Sequence, residues 1–251
     1  KIPPTNSLPI QYYWTLLILG AILGATGWIF NKGLLKTQDF YVKTLKKIPI
    51  QFKTIIPFVM VGILALTIPE VIDGGDSLIE SVIGNNIAIK LLIVILVIKF
   101  IFTFFSYSSG VPGGIFFPLL AIGALVGAIF GLLLNKYLGI SDSLIVNFIV
   151  LAMAAQFASI VKAPITGLML ITEMTGTFKH LLPVAITVTV AYLVSDILNN
   201  KPIYESLLEK LLERMNIKFN TGVKKKEIFD FEVKIGSELD GKLIKNVKWP
   251  D

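Results

Sequence analysis

Apolar residues in this chain run in blocks, and the blocks differ widely in length. Ile10–Leu35 is the longest; a helix of about 20 residues crosses a hydrocarbon core, so it predicts a full span. Gly20, Gly24 and Gly27 put small residues on one side of that helix, which permits a close neighbour. Ile55–Ile68 is short for a perpendicular span, and Leu78–Ile83 is shorter still. Asn86–Phe105 spans although it holds Lys90, which can snorkel from near one end, and Lys99, which is deeper and is expected to face protein or water. Ile115–Leu134 spans without a charge and carries Gly123, Gly127 and Gly131 at four-residue spacing, again a close-packing face. Ser143–Val161 spans, Ala163–Thr172 is too short to span alone, and Leu181–Leu198 spans. Unequal lengths with Gly and Pro interruptions predict an all-α polytopic membrane protein with broken and re-entrant helices.

The pattern changes after residue 198. Pro202–Met215 reads as an amphipathic helix, with Ile203, Leu207, Leu208, Leu211 and Leu212 opposite Glu205, Glu209 and Glu213. Lys224, Lys225 and Lys226 read as a solvated linker. Phe229, Phe231, Val233 and Ile235 alternate with polar residues and predict a short β-strand start at the C-terminus.

A mean hydropathy of +0.77 and a hydrophobic share of 54% place the 251-residue chain among polytopic membrane proteins. Its net charge of +6 is distributed by topology and does not form a nucleic-acid footprint. Lys32 to Lys53 holds six lysines and one acid, whereas Thr54–Ile89 has no Lys or Arg but holds Glu70, Asp73, Asp76 and Glu80. Asn199–Lys226 returns to a basic excess. By the positive-inside rule the first and last of these stretches are cytoplasmic and the acidic one is external. The first helix then runs from outside to inside, Leu181–Leu198 ends inside, and the N-terminus is external. Lys1–Pro9 has no start methionine, basic segment or signal peptide to deliver it there, so earlier membrane segments are expected upstream or in another chain. With no cysteine, disulfides and thiolate metal sites are excluded.

The candidate chemistry lies at Ser108–Pro118, where a Gly-rich turn separates two spans. Glycine leaves amide N–H groups uncovered, and Pro118 suits the first turn of a helix. A helix starting here points unpaired N–H groups and the positive end of its dipole into the turn, an anion site without side-chain charge. A Gly/Pro kink between packed helices needs the same residues, and on physical grounds both readings stand.

The turn resembles the Gly-x-Phe-x-Pro signature of the CLC family of chloride channels and proton-coupled chloride transporters. Ser159–Gly167 is similar to a later helix-breaking segment of that family, Glu173–Gly176 to the acidic turn after it, and Lys201–Tyr204 to the start of the last helix. The resemblance covers roughly residues 10–216 and matches the second of two inverted repeats plus the final helix; the first repeat's Gly-Ser-Gly-x-Pro turn and gating motif do not occur here. Glu232–Asp251 resembles the opening of a regulatory domain of the TrkA C-terminal type. The domain organisation implied is 1–198 transmembrane second repeat, 199–218 last membrane-to-cytoplasm helix, 219–228 basic linker and 229–251 truncated start of a cytoplasmic regulatory domain.

The resemblance implies transport of chloride or a related small anion, as a channel or a chloride/proton antiporter in the cell membrane, with no enzymatic step and no cofactor beyond chloride as ligand. It implies that the backbone N–H groups around Gly114, Ile115 and Phe116, together with the Tyr204 hydroxyl, face the anion. Gly113, Pro118 and Pro202 support that geometry, and Phe117 takes a packing position. The implied partners are lipid, the N-terminal half of the same protein and a second copy in a homodimer, paired partly through Ala163–Thr172 and Leu181–Leu198; nucleic acid is not among them. Glu173 and Asp196 are expected to cap or pair near the interface, Lys162 to mark a cytoplasmic helix break, and His180 to be exposed in a loop. A membrane anchor for a cytoplasmic sensing domain is the alternative function. An intramembrane hydrolase finds neither a His at membrane depth nor two buried aspartates.

Overall fold

The computed structural model describes residues 8–45, 48–72, 75–84, 87–110 and 113–215. The chain divides into two compact units, Lys1–Leu211 and Leu212–Asp251, and nearly all of the second lies outside the described residues. The regular elements among the described residues of the first unit are helices: α1 (Tyr13–Lys43), α2 (Ile50–Lys53), α3 (Ile55–Thr67), α4 (Asp76–Gly84), α5 (Ile89–Ser108), α6 (Phe116–Leu138), α7 (Ile145–Val161), α8 (Pro164–Thr175) and α9 (Leu181–Ile197). A last helix, α10 (Ile203–Arg214), begins in it. Among the described residues, four segments are long and apolar enough to cross a membrane: Ile10–Lys43, Ile89–Ser108, Phe116–Leu138 and Asp142–Val161. The apolar blocks thus set the helices and their unequal lengths, with one difference: Leu181–Leu198, expected to span, forms the 17-residue α9, which is not among the four.

One element of the expected fold class is corrected. Among the described residues there is no β-strand, so the class is all-α. A strand must exchange backbone hydrogen bonds with a neighbour, and no described segment offers an extended edge. The alternating run Phe229–Ile235, the linker Lys224–Lys226 and the segment 229–251 themselves lie outside the described residues.

α7 is the axle of the fold. Every residue from Asn147 to Ile160 is buried, as suits a helix that is apolar on all sides. It pairs with α6 through the glycine ridge. A Cβ at Gly123 would stand 2.8 Å from the Ala152 carbonyl oxygen, and one at Gly127 only 2.5 Å from that of Phe148. The rising numbers on α6 meet falling numbers on α7, so the two are antiparallel. Gly20 and Gly24 do the same for α1 against α9, each 2.7 Å from a valine Cβ, Val190 and Val194. Here both numbers rise together, and α1 and α9 run parallel.

α5 lies alongside α1 in the same sense: Phe30 meets Phe100 and Phe104, and Tyr41 meets Phe105. α1 continues eight residues past its apolar block, to Lys43. The extension is held by α10, where Lys210 donates to the Leu35 carbonyl at 2.7 Å and pairs with Asp39.

Between α7 and α8 the chain breaks at Lys162, which takes φ 63°, a left-handed backbone uncommon outside glycine. Its ammonium pairs with Asp196 at 3.1 Å and lies 4.6 Å from the centre of the Tyr192 ring. The helix break and the Asp196 pairing agree with expectation, and Glu173 is exposed in the last turn of α8. His180 does not agree. Only 4% exposed, it sits at the start of α9, where its carbonyl accepts the Val184 N–H at 2.9 Å. Its place at the N-cap of α9 is hidden in a stretch that reads as a polar loop.

Candidate functional site

The turn between α5 and α6 begins with Ser109, whose hydroxyl and amide both return to the Ser106 carbonyl at 2.7 and 3.3 Å. Gly110 then takes φ 89°, a region glycine occupies without a Cβ penalty. Gly113 and Gly114 are exposed, and a Cβ at Gly114 would meet nothing within 4 Å. No described neighbour therefore crowds residue 114; glycine there leaves the approach to α6 open.

Ile115 is the N-cap of α6 at φ −101° and ψ −2°, and no side chain caps the helix. Its carbonyl accepts the Leu119 N–H at 3.0 Å. Helical geometry gives the preceding amides no intrahelical partner, and Pro118 has no N–H to offer. The N–H groups of Ile115, Phe116 and Phe117 thus stand at the positive end of a 23-residue helix, facing the Gly113–Gly114 opening. Other helices here also start without a side-chain cap; among the described residues, only α6 is approached across two exposed glycines.

The side chains anchor the turn while the backbone faces out. Ile115 is 1% exposed, and the Phe116 ring meets Phe157 of α7 edge-on at 5.8 Å. Phe117 was expected to pack, yet its side chain is 49% exposed and touches Phe116 alone among described aromatic rings.

Gly113, Gly114, Ile115, Phe116 and Pro118 thus share one turn. Tyr204 is the second residue of α10 and half exposed, and no hydrogen bond or ring contact joins it to residues 113–118. Tyr107, half-buried in the last turn of α5, lies immediately before the Gly-rich turn. Tyr107 was missed in the sequence, where it reads as one more aromatic in an apolar block. The available signal was its position, immediately before the Gly-rich turn.

A buried polar cluster sets where α10 starts. Asn31 of α1 donates to the carbonyls of Ile160 and Lys201 at 3.3 and 3.0 Å. Asn200 donates to the Ser159 carbonyl at 3.2 Å and to the Ser195 hydroxyl at 2.9 Å, and Ser195 itself donates to Ser159 at 2.7 Å. Pro202 then opens α10, its carbonyl accepting both the amide and the hydroxyl of Ser206. Among the described residues no group of three His, Asp or Glu side chains is placed to hold a metal ion.

Residues 1–196 match the family model described as voltage gated chloride channel. The H(+)/Cl(-) exchange transporter ClcA of Vibrio parahaemolyticus is 37% identical over 215 residues, covering 84% of this chain and 46% of the relative. That of Salmonella paratyphi B is 35% identical over 220 residues, with 86% and 46% covered. Among solved structures, a slow cyanobacterial Cl-/H+ antiporter superposes with a TM-score of 0.74 at 30% identity, over 85% of this chain and 51% of the other. A eukaryotic CLC transporter gives 0.67 at 25%, over 80% and 35%. The chain spans about half the length of the curated relatives it matches.

Proposed function

We propose, because this chain belongs to the voltage gated chloride channel family, that it supplies one half of a transmembrane chloride pathway. The supporting observation is the uncapped start of α6, whose free amides meet an open Gly113–Gly114 approach beside a membrane span. Backbone N–H groups of Ile115 and Phe116 and the hydroxyl of Tyr204 coordinate the anion, while Gly113, Gly114, Pro118 and Pro202 shape the two helix starts. Such a site attracts an anion without a full charge, so binding stays weak enough for release. The relatives described as exchangers favour chloride/proton antiport over a passive channel.

The pathway is completed by the other inverted repeat, in an upstream half of the same protein. The exposed apolar side chains of α8 and α9, among them Ile165, Met169, Leu193 and Ile197, face a second copy in a homodimer. Residues 1–198 form the membrane repeat and 199–218 the last helix, with the C-terminus cytoplasmic. Residues 219–228 are a basic linker, and 229–251 open a regulatory domain.

Two outcomes test this reading. In the full-length protein, Tyr204→Phe removes one hydrogen bond to a charged ligand and is expected to weaken chloride binding by about 1–2 kcal/mol in calorimetric titration. The 251-residue chain alone is expected to give no selective chloride flux from liposomes. Robust flux from it would contradict a pathway shared between two halves.

A further inference from the structure

α5 carries a lysine where hydrocarbon should be. Lys99 stands near the middle of this 20-residue span and is only 1% exposed, while Ile93, Val94, Val97 and Ile101 on the same helix are exposed. An ionisable side chain at membrane depth is costly and is kept where it acts on a pathway or a fixed partner. Lys99 Nζ donates to the carbonyl of Val71 at 3.0 Å, and Val71 is itself fully buried in the short 3₁₀ turn Pro69–Val71.

The contact does not end there. Gly75 takes φ 126°, and the position of a Cβ on it lies 2.6 Å from the Ala121 Cβ, 3.3 Å from the Phe117 carbonyl oxygen and 3.8 Å from Lys99 Cε. One small space is therefore shared by the lysine stem, by Gly75, and by the first two turns of α6. Phe117 belongs to the turn whose free amides form the anion site. We infer that Lys99 is a positioning residue which, through Val71 and Gly75, fixes the first turn of α6 and so sets how strongly the anion is held. The inference rests on the reading of that turn as the anion site.

A role confined to satisfying the Val71 carbonyl would make Lys99 matter for stability only. The positioning role adds a second consequence. A helix start displaced by a fraction of an ångström aims its N–H groups away from the anion, and a hydrogen bond weakens steeply with misalignment.

In the full-length protein, Lys99→Met, Lys99→Arg and Gly75→Ala are compared by calorimetric chloride titration and by melting temperature without chloride. Lys99→Met keeps the bulk but removes the donor, and its chloride Kd is expected to rise about three- to tenfold, the range of a mutation acting through packed neighbours. Lys99→Arg keeps a donor for Val71 and restores most of the affinity. Gly75→Ala presses on Ala121 and the Phe117 carbonyl from the other side, leaves Lys99 in place, and raises Kd likewise. A Lys99→Met protein that melts earlier but binds chloride as the parent does overturns the inference. If Lys99→Met fails to fold, an unchanged Kd in Gly75→Ala overturns it instead. Tyr204→Phe and Ile115→Pro separate the two levels. If these weaken binding and Lys99→Met does not, only the role of Lys99 falls; if none of them does, the anion site itself is elsewhere.

Discussion

Replacing Ile115 by proline is expected to weaken chloride binding about tenfold to hundredfold, the loss of a charge-assisted hydrogen bond worth about 1.5–3 kcal/mol. Proline deletes the backbone N–H at the N-cap of α6 and is tolerated at a helix start, where no intrahelical bond is broken. Its ring holds φ near −65°, so the cap must turn from the −101° that Ile115 adopts while staying in the right-handed region. The Ile115 side chain is buried, so some stability is lost with it, and Ile115→Val is the matched control. Valine trims the same side chain and keeps the N–H, so it should bind chloride nearly as the parent does. Titration with chloride and bromide on both variants, at matched folded fraction, decides the matter. Equal affinities in the two would remove the α6 amides from the site.

The amides of that turn were legible in the sequence because their chemistry is backbone chemistry. Gly113, Gly114 and Pro118 announce an uncovered helix start whatever surrounds them, and the apolar stretch after them supplies the helix. The helix boundary at Val161 was legible because an apolar block ends there on a polar residue, whereas α6 runs four residues past its expected end at Leu134, to Leu138 before Gly139. The end of α1 was not legible, because Leu35–Lys43 is polar enough to read as loop and is helical through its contact with Lys210, 171 residues away from Asp39. Tyr107 was passed over for a different reason, as one more aromatic in the apolar block that becomes α5. The Asn31 and Asn200 cluster also joins segments far apart in sequence, 170 residues in the case of Asn31 and Lys201. His180 shows the converse error, a residue judged by its polar neighbours and buried by its helix.

The glycine spacing on α6 carries the second large expected effect, on stability. Gly127→Val should lower the melting temperature of the full-length protein by the equivalent of about 1–3 kcal/mol or more, the usual cost of overpacking. Helix propensity alone argues the other way, since a glycine in a helix interior is about 1 kcal/mol less favourable than alanine. Sterics decides the sign. A Cβ at Gly127 would lie 2.5 Å from the Phe148 carbonyl oxygen and 2.7 Å from the Ile149 Cα, both backbone atoms of α7. No rotamer change relieves such a clash, so α6 and α7 must move apart and loosen the contacts on either side. Gly62 in α3 is the internal comparison, because a Cβ there meets nothing within 4 Å. Gly62→Ala should therefore follow propensity and hold or raise the melting temperature. Because α7 also carries Phe157, the partner of Phe116, separating it from α6 should weaken chloride binding as well, by disturbing the turn from behind. Thermal melts in detergent with and without chloride would reveal both effects. A Gly127→Val protein as stable as the parent would mean that α6 and α7 do not pack through this ridge.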